Sequence, residues 1–549
     1  MYTPKFLSFI KEDTSRNAFS GFLVFLLALP LCMGIAVASG FPPAAGIMTG
    51  IFGGIITTFI SNSQLTIKGP AAGLIVIVLG CMLDFGFTGG QNLTADFNAY
   101  KMTLAVGVAA GFMQIVLGKL RSGLVGEIVP AAAVHGLLAA IGVIIILKQF
   151  PVTLGLASKG SPLTTVTELK GLILRANPEI LLTSVLTLLT LIIWPRINLS
   201  KISKIPAPIV AIGLGIALSF FFDFTHPHQY RMMGREFSLT ENMVVNVPHS
   251  FLGSFQFPNF LALSSIAGWK WVAMFTLIGT LESVLSAKAV DLIDPKGRKT
   301  DLNREVTAIG FANMLVSALG GLPMISEIIR SKANIDSGAT VKTSNFFHGI
   351  FLLIALIALG PVLHHIPLAC LAAMLVYTGF RLAHPKEFFH MYRIGTDEFA
   401  VFLVTIAGTL ATDLLVGLGL GIATQFLLSF KNGLRFRDFK RGQISIEENK
   451  ITNSVEITPE ISLVFAHWLK LKNKMDAVLV EKKNIVVNFQ RTNHIDHTIM
   501  AKLSEYGREL QNQELEMAIV GLQDHHSLAN HPLSARVLRT GCDVRTTSL

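Results

Sequence analysis

Ser61-Asn62-Ser63-Gln64-Leu65-Thr66-Ile67-Lys68-Gly69-Pro70-Ala71-Ala72-Gly73 and Gly320-Gly321-Leu322-Pro323-Met324-Ile325-Ser326-Glu327-Ile328-Ile329-Arg330-Ser331 are two versions of one pattern. Each is a polar, Gly/Pro-marked extended stretch where a clean apolar start is expected, and each leads the third apolar run of its half. Matching interrupted spans in two halves point to an inverted-repeat transporter; ordinary loops between helices are the competing reading. A helix that begins at mid-membrane depth leaves its first N–H groups without intrahelical partners. Two such N-termini facing each other offer donors and positive dipole ends to an anion. Pro70 suits an early helical position, where its missing N–H costs nothing. Gly69, Gly320 and Gly321 permit close backbone approach. Unpaired backbone at that depth is tolerated only where it lines a hydrated cavity, so the two stretches together read as a substrate site.

Composition agrees with that setting. Of 549 residues, 51% are hydrophobic and 15% charged, against about 25% charged in an ordinary soluble chain. A mean hydropathy of +0.57 over this length needs many segments that are apolar on every side, which excludes a soluble multidomain enzyme. Apolar runs fall near 18–38, 43–60, 70–83, 103–120, 129–147, 180–195, 207–223, 268–288, 304–320, 327–343, 346–360, 366–380, 398–413 and 414–430. The strongest alone give ten or eleven spans. Residues 18–60 hold no Asp, Glu, Lys or Arg and carry Pro30 mid-run, so the N-terminus reads as a membrane hairpin rather than a cleaved signal.

The net charge of +10 sits in short hydrophilic segments, among them Lys5, Lys11, Arg16, Arg196, Lys201, Lys204, Arg435, Arg437, Lys440 and Arg441. That distribution reads as membrane topology with cytoplasmic termini and not as a nucleic-acid surface. Cys32, Cys81, Cys370 and Cys542 are scattered and make no ligand set or disulfide framework. No Walker or dinucleotide fingerprint is present, so ATP-driven transport and enzymatic catalysis by this chain are not expected. The chain divides into an N-terminal segment 1–17, a membrane domain 18–430, a linker 431–450 and a C-terminal domain 451–549. In the last, strands are expected at 451–463, 477–480 and 484–489, a helix at 497–511, a strand at 515–520 and a helix after Ser527, the rhythm of a small α/β domain.

Four charged residues near the interruptions matter most. Glu282 lies one to two turns from the end of an apolar helix, where a carboxylate is costly unless it faces a cavity, a cation or a proton; it reads as a sodium or proton coupling site, with a structural pairing to Lys288 as the bland alternative. Arg330 raises the local potential around an anion or pairs with Glu327 or Glu282. Glu327 suits a helix N-terminus yet competes with an anionic substrate, which leaves three options: protonation, pairing with Arg330, or membership of a cation site. Lys68 attracts anions or snorkels. Glu127, His135 and Asp413 near span ends read as solvated or capping groups. His364-His365 and the histidines at 494, 497, 525, 526 and 531 have no metal-ligand spacing.

With these residues quoted, the chain resembles the SulP family of anion transporters, related to the vertebrate solute-carrier 26 proteins. The likeness rests on Ala28-Leu29-Pro30, Gly40-Phe41-Pro42-Pro43, Thr66-Ile67-Lys68-Gly69-Pro70, Glu282-Ser283, Asn303-Arg304-Glu305, Gly310-Phe311-Ala312-Asn313, Gly320-Gly321-Leu322-Pro323, Arg330-Ser331-Lys332-Ala333-Asn334, Gly338-Ala339 and Lys342-Thr343. The resemblance implies fourteen spans in a 7+7 inverted repeat of core and gate domains, a homodimer in membrane lipid, and a cytoplasmic STAS-like domain open to a soluble regulatory partner. It places a small inorganic anion, bicarbonate or sulfate, among Gly69, Pro70, Ala71, Met324, Ile325, Ser326 and Arg330, with sodium or proton coupling at Glu282 and Glu327 and no cofactor beyond a coupling sodium ion. It also implies a bacterial inner-membrane location. Departures are visible. Leu31, Ile35 and Ile325 stand where many members carry Gln, Tyr and Thr, which leaves more of the anion's hydrogen bonding to backbone. His497-Thr498-Ile499 replaces the Ser-Ser-Gly of many STAS domains, against phosphoserine regulation. An exchanger, a channel-like protein on the same scaffold and a carboxylate or nucleobase permease are the alternatives.

Overall fold

Buried hydroxyls and exposed leucines define the membrane helices. In the computed structural model, one helix (residues 178–193) buries Thr183, Ser184 and Thr187 while Leu181, Leu182, Val185, Leu189, Ile192 and Ile193 stand exposed. That inverts the pattern of a soluble helix and suits lipid as the surrounding solvent. The hydroxyls are satisfied internally, Ser184 Oγ donating to the Thr153 carbonyl at 2.9 Å. The structure describes residues 13–120, 129–157, 162–197, 205–232, 234–239, 243–245, 252–412, 414–441, 444–449, 454–479, 484–511 and 515–539. Lys5, Lys11, Lys201, Lys204, Glu127, Asp413 and Cys542 lie outside them.

The chain forms two compact units, 1–123 with 141–382, and 124–140 with 383–549. In chain order, leaving out helices of six residues or fewer, the helices and strands up to 382 are α1 (Thr14–Ala38), α2 (Pro43–Ile60), β1 (Ile67–Gly69), α3 (Ile75–Asp84), α4 (Leu93–Lys119), α5 (Ala131–Thr153), α6 (Pro178–Ile193), α7 (Ala207–Phe221), the hairpin β2 (His228–Met232) and β3 (Arg235–Leu239), α8 (Ile266–Ile293), α9 (Leu302–Ala318), β4 (Ile325–Glu327), α10 (Ile328–Asp336), α11 (Thr343–Ala358) and α12 (Leu368–Leu382). Among the described residues eight helices are long and apolar enough to cross a membrane, and three shorter apolar ones stand beside them. The chain is a polytopic, multi-pass α-helical membrane protein.

Packing in the first unit repeats itself. The order α1, α2, β1–α3, α4 recurs as α8, α9, β4–α10, α11. α4 packs along α9 as α11 packs along α2, and α8 packs on α4 as α1 packs on α11. Each long contact closes on glycine: Gly111 against the backbone of Gly310 and Met314, and Gly54 against Gly349, where an added Cβ would fall 2.5 Å from a backbone atom. Without a hydrophobic force between helices in lipid, such close approach supplies the dispersion contact that holds them. Phe25, Met33, Ile47, Met48, Ile51, Leu352, Leu371 and Met374 form the main apolar cluster around it.

Two span expectations change. The run expected from 103 belongs to a helix that starts at Leu93, because Asn92 Oδ1 accepts from the amides of Thr94 and Ala95 at 3.1 Å and caps a polar first turn. The run expected at 327–343 holds only the nine-residue α10, which stops before Gly338 at φ +89°.

Beyond 383 lie α13 (Pro385–Ile394), α14 (Thr396–Ala411), α15 (Leu414–Lys431), β5 (Ile444–Asn449), β6 (Ser454–Pro459), α16 (Trp468–Leu479), β7 (Asn484–Asn488), β8 (His494–Ile495), α17 (His497–Gln511), β9 (Met517–Val520), β10 (His525–Ser527) and β11 (Arg536–Leu538). One sheet has the order β5-β6-β7-β9, antiparallel at β5 and parallel beyond; α16 and α17 make the crossovers that parallel pairing demands. Residues 477–479, expected as a strand, are the last turn of α16. Its buried Trp468, Leu471, Met475 and Val478 keep helical spacing. The helix expected after Ser527 is instead the β10–β11 hairpin, with β11 also paired to β8.

Candidate functional site

Strands β1 and β4 pair antiparallel, with Ile67 opposite Glu327, Lys68 opposite Ser326 and Gly69 opposite Ile325. From the end of each strand a helix departs: a 3₁₀ turn (Ala72–Leu74) and α3 from the first, α10 from the second. The two short helices therefore start near one point and run apart. None of the residues preceding them, Ala71, Leu74 and Glu327, caps the first turn with its side chain. First-turn amides thus lack the usual acceptor, and Pro70, Ala71, Met324 and Ile325 are buried around them.

Side chains hold this crossing from behind. Lys68 Nζ is ion-paired to Glu305 Oε1 at 3.1 Å, both groups buried. Glu305 also accepts from Ser326 Oγ at 2.6 Å and from Ser61 Oγ, and the Lys68 ammonium bonds Thr66 Oγ1. The Lys68 ammonium therefore neither faces an anion nor snorkels. The Ser326 hydroxyl is turned the same way, so what Ser326 offers in front is backbone. Asn313 clamps Met324, accepting from its N–H at 2.6 Å and donating to its carbonyl at 3.1 Å. Ser331 Oγ accepts from the Ile67 amide at 2.8 Å, and Asn334 donates to the Leu65 carbonyl at 3.1 Å.

In front lie Arg330, Glu327 and Glu282. Arg330 is fully buried. Its Nε lies 2.9 Å from Glu327 Oε2, its Nη2 donates to the Pro70 carbonyl at 3.1 Å, and Nη1 reaches Cys32 Sγ at 3.5 Å. A Cβ on residue 69 would sit 2.5 Å from Nη1, so glycine there lets the guanidinium lie against the first strand. Of the two partners expected for Arg330, the structure pairs it with Glu327. Glu282, from α8, presses its carboxylate onto Gly73 in the 3₁₀ turn, where any Cβ would clash with both oxygens. Its Oε1 has no hydrogen-bond partner among the described residues. Two cations thus stand among three carboxylates, and Glu282 is the one left uncompensated.

Glu305 and Asn313 are the site-forming residues that residue chemistry alone did not single out. Glu305 lies in Asp301-Leu302-Asn303-Arg304-Glu305, a hydrophilic stretch that reads as a helix start, and its partner Lys68 is 237 positions away. In the C-terminal domain, Asp496 caps α17, accepting from the Ile499 amide at 2.8 Å and the Phe465 amide at 2.6 Å. His497 is buried, its Nδ1 2.7 Å from the Leu533 carbonyl, and burial pushes its imidazole down to about 4. Among the described residues no group of three or more His, Cys, Asp or Glu side chains is placed to hold a metal ion.

Comparison with known proteins bears on this geometry. The sulfate permease family profile matches residues 15–405. The putative sulfate transporter YvdB of Bacillus subtilis is 26% identical over 533 residues, covering 95% of this chain and 94% of that protein. The bicarbonate transporter BicA of Picosynechococcus is 23% identical over 440 residues, 79% of this chain and 73% of that one. Among solved structures, the transmembrane domain of a cyanobacterial BicA superposes with a TM-score of 0.60 at 20% identity, covering 75% of this chain and 98% of that one. The murine Slc26a9 anion transporter in its inward-facing state superposes at 0.65 and 15% identity, covering 93% and 85%. The chain belongs to the sulfate permease family and has the SulP/solute-carrier 26 anion-transporter fold, with a C-terminal domain consistent with a STAS-like region.

Proposed function

We propose that this chain is a secondary transporter of a small inorganic anion, bicarbonate or sulfate, coupled to sodium or protons. The observation that carries the reading is the paired β1–β4 crossing, from which two uncapped helices diverge beside a carboxylate without a partner. The anion sits between Gly69, Pro70 and Ala71 on one side and Met324, Ile325 and Ser326 on the other. Backbone N–H groups bind it and Arg330 raises the potential around it. With Glu282 ionised, the surplus negative charge opposes the anion; a sodium ion or proton at Glu282 removes that opposition, so the two ligands bind together. Glu327 neutralises Arg330 and limits how tightly the anion is held.

Relatives named as sulfate and bicarbonate transporters support both substrates. The recurring packing of α1–α4 and α8–α11 supports a 7+7 inverted repeat of fourteen spans, with both termini cytoplasmic, in the cell membrane as a homodimer. The STAS-like domain then lies in the cytoplasm, where a soluble partner can reach it. Uptake of labelled bicarbonate and sulfate by purified protein in sealed liposomes, under imposed sodium or proton gradients, tests the reading. Saturable uptake of either anion that follows one cation gradient supports it. Absence of flux of both anions in folded, oriented protein sinks it.

A further inference from the structure

We propose that Glu398 of α14 and Gln425 of α15 form a proton-binding site, and that its occupancy decides how firmly these two helices hold the start of α17 in the C-terminal domain. All the groups involved lie within the second compact unit. α14 and α15 close on each other through Gly417 and Gly421, which meet Thr409 and Thr405. Further along the same seam Glu398 is 2% exposed and Gln425 3%, and the Gln425 side chain hydrogen-bonds the Glu398 carboxyl. An ionised carboxylate offers only acceptors, whereas an amide offers two donors and an acceptor. With Glu398 ionised, its Oε2 and the Gln425 Oε1 are both buried acceptors without a donor among the described residues, and each bears its desolvation cost unrelieved. One proton, taken from water, removes both defects. Gln425 Nε2 then donates to Glu398 Oε1, and the protonated Glu398 Oε2 donates to Gln425 Oε1.

Charge around the pair favours the proton. Asp496, at the start of α17, and Asp397, on α14 itself, both act on Glu398, and both are carboxylates. Like charges in one buried site drive one of them to take a proton. Glu398 is the one, because both Asp496 oxygens already accept amide N–H groups, Oδ1 from Ile499 at 2.8 Å and Oδ2 from Phe465 at 2.6 Å. Asp397 accepts from Asn432 Nδ2 at 2.8 Å. On the neighbouring elements, His135 of α5 lies 3.4 Å from Glu387 of α13, and with His390 and His531 it acts on the His497 ring. Lys502 of α17 acts on Asp496, while Lys386, Arg393 and Lys431 stand exposed. The site bears on the domain joint because the His497 backbone, in the first turn of α17, hydrogen-bonds Glu398. The next residue, Thr498, accepts through Oγ1 from the Ala131 N–H at the start of α5, at 3.1 Å. A free carboxylate would suit the α17 N-terminus, but Asp496 already fills that role. Ionisation of Glu398 therefore adds a buried charge without a counter-ion to the seam and loosens it.

The test needs no transport, so its outcome is separate from that of the transport reading. Hydrogen–deuterium exchange of the full-length, detergent-solubilised protein is followed at residues 497–500 from mildly acidic to mildly alkaline pH, with rates corrected for base catalysis. In the parent protein the corrected exchange is expected to rise by roughly fivefold or more as Glu398 loses its proton, while β6 and β7 keep their protection. Glu398→Gln copies the protonated acid and can pair with Gln425 in the same way, so its exchange should stay slow and flat with pH. Infrared difference spectra should show a protonated-carboxyl band in the parent at neutral pH that Glu398→Gln lacks. Faster exchange in folded Glu398→Gln than in the parent at neutral pH would mean that an ionised cap had been lost, and overturns the site. Parent-like pH dependence in that variant overturns it as well. If Glu398→Gln does not fold, Glu398→Met takes its place and should lose the pH dependence and the infrared band alike. A flat profile in the parent, which requires no variant, also overturns the proposal.

Discussion

The two halves of the β1–β4 crossing use the same backbone and opposite side chains. α3 buries Ile75, Ile77, Val78, Cys81 and Met82; α10 buries Arg330, Ser331 and Asn334. The first half contributes apolar packing, and its one cation, Lys68, is withdrawn into a pair with Glu305. The second half carries a salt bridge at its N-terminus, in Glu327 and Arg330. A helix N-terminus gives the same dipole in either case. Division of labour therefore comes from side chains: one half is a scaffold, and the other sets the electrostatics.

If the first half is scaffold, its charge pair should govern stability and not affinity. Glu305→Gln leaves the Lys68 ammonium buried without its counter-ion and is expected to cost about 3–5 kcal/mol, whereas Lys68→Met with Glu305→Leu together should recover most of it. Chemical or thermal unfolding of the detergent-solubilised protein measures both. A loss within about 0.5 kcal/mol for Glu305→Gln would show that the pair does not hold the crossing together.

Glu282 tests the front of the same crossing. Glu282→Gln removes the uncompensated charge permanently, and under the proposed coupling anion binding then no longer depends on a cation. Gradient-driven accumulation should fall by roughly ten- to a hundredfold, while anion counterflow across the same liposomes persists. Accumulation that still follows the gradient in folded Glu282→Gln would move the coupling site elsewhere.

How much of this was legible in sequence follows from range. The crossing announced itself locally, because glycine and proline interrupt two apolar runs at Gly69-Pro70 and Gly320–Pro323. Glu282 stood out as the one carboxylate in the apolar run 268–288. What linear pattern could not supply was partnership: Lys68 with Glu305, or Asn313 with the Met324 backbone, since pairing energy between distant residues leaves no periodicity. Short apolar runs were the other blind spot. Ala477-Val478-Leu479 has equal apolar content as strand or helix; the buried Leu471 and Met475 upstream settle it as the end of α16. At Leu93 a polar capping turn extended a helix that hydropathy alone began ten residues late.

Glu327 sharpens the electrostatic side. Removing its charge by Glu327→Gln leaves Arg330 less neutralised beside the proposed anion position, worth on the order of 1 kcal/mol at an effective dielectric near 20–40. The half-saturation concentration should drop by roughly fivefold, with gradient dependence intact. Loss of gradient dependence instead would place Glu327 with Glu282 in a shared cation site, one of the three roles open to it from sequence.

The smallest effect is the most direct probe of which face of β4 lines the proposed anion site. Ser326 looks like a ligand by position, since it lies between Met324-Ile325 and the first turn of α10. Its hydroxyl, however, is committed to Glu305 at 2.6 Å, behind the strand. Ser326→Ala should therefore lower stability by about 1 kcal/mol and leave the half-saturation concentration of either anion unchanged. A rise in half-saturation without loss of stability would mean that the hydroxyl turns forward when the anion binds, and that the second half supplies side-chain as well as backbone donors.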